Sequence, residues 1–289
     1  MAALQTLLDS PSFAILATGV FTGASAAILG TFLVVRGQAM LTDAIGHGVV
    51  FGVAVTFLLT GNATGPLQLL GAAGAGLLTV ALTEWLARSG KVKRDAATGL
   101  VFPALFAAGI LLLGLFARDA HVDVHTVLLG EIGFVWLDRV QVLGLFVPRS
   151  LAVVFVAFVL NALYVALFYK ELTAAAFDPV LAEIQGLRPR FATGGLLALT
   201  SFTAVAALDA VGVVLFVAFA ITPAVVGRLA SQRLPTMLAI ALVVAAASAL
   251  LGYPLAVVTD LSIGGIMALL TAAPLVVLLP LTRSRRRRT

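Results

Sequence analysis

Residues 13–60 read FAILATGVFTGASAAILGTFLVVRGQAMLTDAIGHGVVFGVAVTFLLT. Two apolar blocks, 13–35 and 41–60, are divided by a short polar turn around Arg36. Each block meets the length a bilayer demands of a helix, about 20 residues. The pattern continues along the chain, with further blocks at 66–87, 96–116, 150–169, 191–207, 210–229, 236–258 and 261–282. That predicts an all-α polytopic membrane protein with nine spans. The pair 191–207 and 210–229 is so tightly spaced that eight spans is the alternative. The stretch 120–147 is semi-apolar and interrupted by charge, and is expected to be a re-entrant or surface helix rather than a span.

Composition agrees. The 289 residues are 61% hydrophobic and 11% charged, with a mean hydropathy of +1.13. Soluble domains carry about 25% charged residues. A single transmembrane domain over 1–289 is expected, with no room for a soluble one. No Lys or Arg precedes the first apolar block, so the chain does not open like a cleavable signal peptide. There are no cysteines, which excludes disulfides, thiolate metal sites and cysteine catalysis. The net charge of +5 does not point to nucleic acid, because the basic residues flank spans.

Those residues orient the chain. All but three of the 18 Lys and Arg fall in alternate loops or the tail: Arg36; Arg88 to Arg94; Lys170 to Arg190; Arg228 and Arg233; and Arg283 to Arg288. Only Arg118, Arg139 and Arg149 lie on the other side. The positive-inside rule places the larger set, and the tail 283–289, in the cytoplasm. The tail also suits contact with lipid headgroups. The 27 glycines, among them Gly19, Gly23, Gly30, Gly71, Gly74 and Gly76, predict close helix packing.

Ionisable residues inside spans are costly, at least about 2.5 kcal/mol on insertion scales, and mark a pathway or a partner. Asp43 and His47 are the clearest cases. Four residues apart on a helix, they project from one face. A carboxylate and an imidazole together suit manganese, iron(II) or zinc better than the oxygen-seeking calcium and magnesium. Gly46 and Gly48 are expected to leave space beside the histidine. The competing reading is an Asp–His hydrogen bond between two buried polar groups, or an aspartate that caps a helix after the Arg36–Gln38 turn. Two ligands do not close a metal site, but a second copy across a two-fold axis would supply two more.

Asp119, His121, Asp123 and His125, with Glu131 beyond, form a second polar group in an outer loop. A solvated loop is the default, and a vestibule for arriving metal is the sharper alternative. Asp209 and Asp260 fall at outer span ends, where helix caps are expected. Glu84 can snorkel or pair with Arg88, and Pro223 should kink its helix. In the longest inner loop, 170–190, Asp178 and Pro179 make a helix start and Gly186 a stop. Such a helix suits docking of a soluble partner. No G-x-x-x-x-G-K-[ST] loop is present, so any ATP-driven motor is another polypeptide.

Four segments together resemble the permease subunits of ABC importers for manganese, zinc and iron, the ABC-3 family. They are VVRGQAMLTDAIGHGVVFGVA (34–54), YKELTAAAFDPVLAEIQGL (169–187), LDAVGVVLFVAFAITPAVVGRLAS (208–231) and SIGGIMALL (262–270). The resemblance implies a fold similar to vitamin B12-type importer permeases with one fewer span. It implies two copies forming a pathway in the bacterial inner membrane, two cytoplasmic ATP-binding subunits beneath, and a metal-binding protein outside. Asp43 and His47 would be the metal ligands. Phe177, Asp178, Pro179, Ala182 and Gly186 would meet the ATPase. Gly46 departs from the family, which commonly has Ser before the histidine. The D-A-I-x-H form resembles manganese members more than zinc members.

Other classes fit less well. An ion-coupled secondary metal transporter would be expected to show inverted repeats, and no clear internal repeat is found. An intramembrane metalloenzyme would want an H-E-x-x-H pair, which is absent. Nothing marks the selectivity filter of a passive channel.

Overall fold

The computed structural model describes residues 8–61, 65–116, 131–142 and 144–286. Long helices dominate: α1 (Pro11–Val35), α2 (Met40–Thr60), α3 (Pro66–Arg88) and α4 (Arg94–Phe116) precede a short 3-10 turn, Ile132–Phe134. A hairpin of β1 (Arg139–Val142) and β2 (Leu145–Pro148) leads into α5 (Arg149–Leu167). Two short helices follow, α6 (Tyr169–Phe177) and α7 (Pro179–Ile184), then α8 (Pro189–Ala230), α9 (Leu234–Thr259) and α10 (Ile263–Arg286). Among the described residues, eight helices are long and apolar enough to cross a membrane.

The two faces of the bundle are set by side-chain contacts. On one, Arg36 at the end of α1 donates from Nη1 to the carbonyl of Ala175 in α6, at 3.1 Å. Arg228, near the end of α8, donates to the carbonyl of Val34 at 2.7 Å. Arg36, Arg88, Arg94, Pro179 and Pro189 line a single cleft there. This is the basic face. On the opposite face, Ser12 pairs with Tyr253 at 2.8 Å, and Asp9 makes an ion pair with Arg139.

Both ends of α8 therefore lie on the basic face. A straight helix of its 42 residues would run about 63 Å, twice the thickness of the hydrocarbon layer. Instead the chain doubles back at Gly212, whose φ of 78° and ψ of 171° belong to a region that only glycine occupies readily. Segments 189–211 and 213–230 are two passes joined without a loop. Among the described residues the eight long helices thus give nine passes through the bundle, and the non-helical residue is Gly212, not Pro223.

The centre of the bundle is α1 against α8, where Phe32, Phe216 and Phe219 are fully buried. Glycine makes the approach feasible: a Cβ at Gly30 would overlap the carbonyl oxygen of Ala220. Gly74, in contrast, faces open space. Asn161 of α5 ties the core together, donating to Ser25 of α1 at 2.6 Å and to Thr203 of α8 at 2.8 Å.

The expectation of a helix over 120–147 needs correction for its described part. Residues 139–148 form the hairpin, with Val140 opposite Val147 and a turn at Gly144, where φ is 84°. Alternating β-branched and polar residues, Arg139-Val140-Gln141-Val142, have the two-residue period of a strand. Asp260 stands at the C-terminal cap of α9 in a left-handed conformation, and Asp209 lies inside α8, so neither starts a helix.

Candidate functional site

Helix α2 begins after a turn in which Gly37 takes a φ of 68°. Its first turn holds Asp43, a favourable place for a carboxylate beside the positive end of the helix dipole. Asp43 does not serve as the cap, which is Ala39. One turn on, His47 Nδ1 lies 3.3 Å from Asp43 Oδ1 and 3.0 Å from the Asp43 carbonyl oxygen. The carbonyl can only accept, so Nδ1 carries a hydrogen in this arrangement, and in the neutral imidazole the lone pair is then on Nε2. His47 sits about 10 Å along the helix from Met40, inside the span.

The imidazole is held from α4. Phe102 and Phe106, one turn apart, place their ring centroids 5.7 and 5.6 Å from it. Gly109 lets α4 approach, since a Cβ there would press on the backbone nitrogen of Phe51. The side chains of His47 and Asp43 remain 31% and 29% exposed, so one copy of the chain does not enclose them. Among the described residues, no group of three or more His, Cys, Asp or Glu could hold a metal.

The flanking glycines do not open space for the histidine. A Cβ at Gly46 would crowd Val213 Cγ1 at 3.1 Å, and one at Gly48 would overlap the hydroxyl of Thr79. Their small size serves packing against α8 and α3. Asp119, His121, Asp123 and His125 lie outside the described residues, and Glu131 immediately precedes the 3-10 turn.

On the basic face, α6 and α7 form a compact corner. Asp178 Oδ1 accepts from the backbone nitrogens of Val180 and Leu181 at 3.0 and 2.9 Å, with Pro179 in the first turn. Gly186 ends the helix with a φ of 77°, and Leu187 N donates to Ala182 O at 3.1 Å. Ala182 is buried, while Phe177, Val180, Leu181 and Ile184 are exposed. A groove of about 560 Å³ runs beside them, lined in part by Tyr169, Phe177, Leu181 and Leu187.

Sequence reasoning missed two groups. Glu84 does reach Arg88, at 4.0 Å, but it bonds more closely to Arg94 Nη2 at 3.1 Å and takes a bond from Gln38 at 3.4 Å. Those partners come from other elements, beyond the reach of helical spacing. Phe102 and Phe106 had the right spacing to bracket a neighbour, but the chain has 18 phenylalanines and nothing local singles these out.

The sequence from 12 to 281, which takes in nearly all of α1 to α10, matches the ABC 3 transport family. The chain belongs to the ABC 3 transport family. Among its relatives, the manganese transport system membrane protein MntD of Bacillus subtilis is 40% identical over 258 residues, covering 89% of this chain and 87% of MntD. The zinc transport system membrane protein TroD of Treponema pallidum is 40% identical over 249 residues, covering 86% of this chain and 68% of TroD. A solved structure, PsaBC from Streptococcus pneumoniae in complex with Fab, superposes with a TM-score of 0.79 at 25% identity, covering all of both chains. Membership of the ABC 3 family makes this multi-pass chain an importer permease, and the Asp43–His47 pair lies within one of its candidate spans.

Proposed function

We propose that the chain is the permease of an ATP-driven manganese importer and works as a pair of identical subunits. The observation that carries this reading is the Asp43–His47 pair, one turn apart on α2 and open to one side. The geometry leaves Nε2 of His47 free to bind a metal, with the Asp43 carboxylate fixing the ring, an arrangement common around metal-bound histidines. Carboxylate and imidazole suit manganese, iron(II) and zinc. A second copy across a two-fold axis adds a second His47 Nε2, and the two Asp43 carboxylates complete a set of four donors once they swing from Nδ1 to the metal.

The positive-inside rule puts the basic face in the cytoplasm. There the exposed Phe177, Val180 and Ile184, on a helix capped by Asp178, give an apolar surface for an ATP-hydrolysing subunit. Phe177, Asp178, Pro179 and Gly186 are exposed and would meet that subunit, whereas Ala182, expected beside them, is buried and anchors the helix instead. The chain has no phosphate-binding loop of its own, so two such subunits supply the energy. A metal-binding protein on the other side of a bacterial inner membrane delivers the cation, and Asp119, His121, Asp123 and His125 are the side chains the sequence offers for its entry.

Zinc is the second reading, because TroD is as similar as MntD. Such a site binds zinc more tightly than manganese by intrinsic affinity, so manganese selectivity must come from geometry or from the delivering protein. The test is uptake of manganese and of zinc by cells carrying the wild type, Asp43→Ala or His47→Ala at equal protein levels. Loss of manganese uptake in both variants is expected. Loss of zinc uptake alone selects zinc, and unchanged uptake of both sinks the assignment of the pair.

A further inference from the structure

A cleft of about 490 Å³ opens on the basic face, and its lining changes character with depth. Arg36, Arg88, Arg94 and Arg190 stand around its mouth with only Glu84 and Glu183 to offset them. Farther in, the walls are Leu77 and Val80 of α3 and Gly194, Leu197 and Ala198 of α8. Leu77 lies 11 residues before Arg88 on one helix, so the apolar wall climbs about 16 Å from the charged rim toward the middle of the membrane. Gly194 leaves that wall open, since a Cβ there would meet nothing within 4 Å.

The charges at the mouth do not balance. Glu84 is shared by Arg94, at 3.1 Å, and Arg88, at 4.0 Å. Glu183 is taken by Arg190 at 3.0 Å. Among the described residues, the Arg36 guanidinium bonds to neutral groups, the Gln38 side chain and the Ala175 carbonyl. Its burial lowers its pKa, and the neighbouring Arg94 charge pushes the same way against the pull of Glu84.

We propose that this cleft binds one anionic phospholipid, with the headgroup phosphate among Arg36, Arg88, Arg94 and Arg190 and an acyl chain along Leu77, Val80 and Leu197. Guanidinium groups bind phosphate oxygens bidentately, and the surplus positive charge favours an anion over a zwitterion. The apolar depth, continuous with the level of the spans, favours a lipid over free phosphate, which has nothing to place there. One lip of the cleft is Pro179 and Val180 of α7, so a bound lipid would brace the corner formed by α6 and α7.

The test uses the full chain purified in detergent, by native mass spectrometry and thermal melting. Phosphatidylglycerol, phosphatidylcholine and inorganic phosphate are added separately, and neither metal nor ATPase is needed. Two variants are compared with wild type. Arg88→Gln/Arg190→Gln changes exposed side chains, and Gly194→Leu adds bulk to the apolar wall one turn above Arg190, at a position where a Cβ meets nothing within 4 Å. Phosphatidylglycerol should remain bound to wild type and raise its melting temperature, whereas phosphatidylcholine should do so weakly. Retention should fall about fivefold for each arginine removed, and should be lost in Gly194→Leu. Equal retention of both lipids, or unchanged phosphatidylglycerol binding in Gly194→Leu, overturns the proposal. So does protection by inorganic phosphate equal to that by phosphatidylglycerol, because the cleft would then be a simple anion site.

Discussion

His47 Nδ1 and Asp43 Oδ1 stand 3.3 Å apart, and the same nitrogen lies 3.0 Å from the Asp43 carbonyl oxygen. A single residue thus orients the imidazole twice, through its backbone and through its carboxylate. The two roles of Asp43, as charge and as orienting acceptor, are separable. In Asp43→Asn the amide oxygen can still accept from Nδ1, but the negative charge is gone. Metal affinity is expected to fall about 10–100-fold, the range seen when such supporting groups are changed. Concentration dependence of manganese uptake reads this directly. An Asn variant with wild-type affinity would show that the carboxylate charge plays no part.

The reversal of α8 predicts a cost for any side chain at Gly212. Its φ of 78° and ψ of 171° strain every residue but glycine. Gly212→Ala should lose about 1–3 kcal/mol, visible as a lower melting temperature of the purified protein. An unchanged melting temperature would mean that the two passes are joined in some other way.

The α1–α8 contact makes a sharper contrast. Gly30→Ala drives a methyl group into the Ala220 carbonyl and should cost about 1–3 kcal/mol by overpacking. Gly74→Ala enters open space and should leave the melting temperature where it was. Equal effects of the two substitutions would contradict the helix pairing.

At the α6–α7 corner, Asp178→Ala removes the acceptor for two backbone N–H groups. A lost cap costs about 1 kcal/mol, here confined to an exposed short helix. The ATPase subunit should co-purify less well with this variant, while metal affinity measured on the permease alone stays the same. Full co-purification together with normal metal-driven turnover would remove α7 from the docking surface.

Much of this was legible in the sequence, because burial in lipid demands long apolar blocks and those cannot be mistaken. The Asp43–His47 pair was legible for the same reason: in so apolar a helix, two ionisable groups at helical spacing stand out. The α7 helix announced itself through Asp178, Pro179 and Gly186, whose backbone preferences are local. What escaped was non-local. Gly46 and Gly48 looked like room for the histidine, whereas their neighbours Val213 and Thr79 come from remote parts of the chain. Glu84 showed its helical partner Arg88 but not Arg94 or Gln38. The hairpin at 139–148 was hidden by an apolar content that strands and membrane helices share, and only the alternation of Arg139-Val140-Gln141-Val142 distinguished it.

Gly212 also fixes the parity of the chain. Eight crossings would return Pro11 and the far end of α10 to one compartment. With the extra pass created at this glycine the count is odd, and the two helix ends face different compartments. A single backbone torsion thereby decides whether the first and last of the described long helices open on one face of the bundle or on opposite faces.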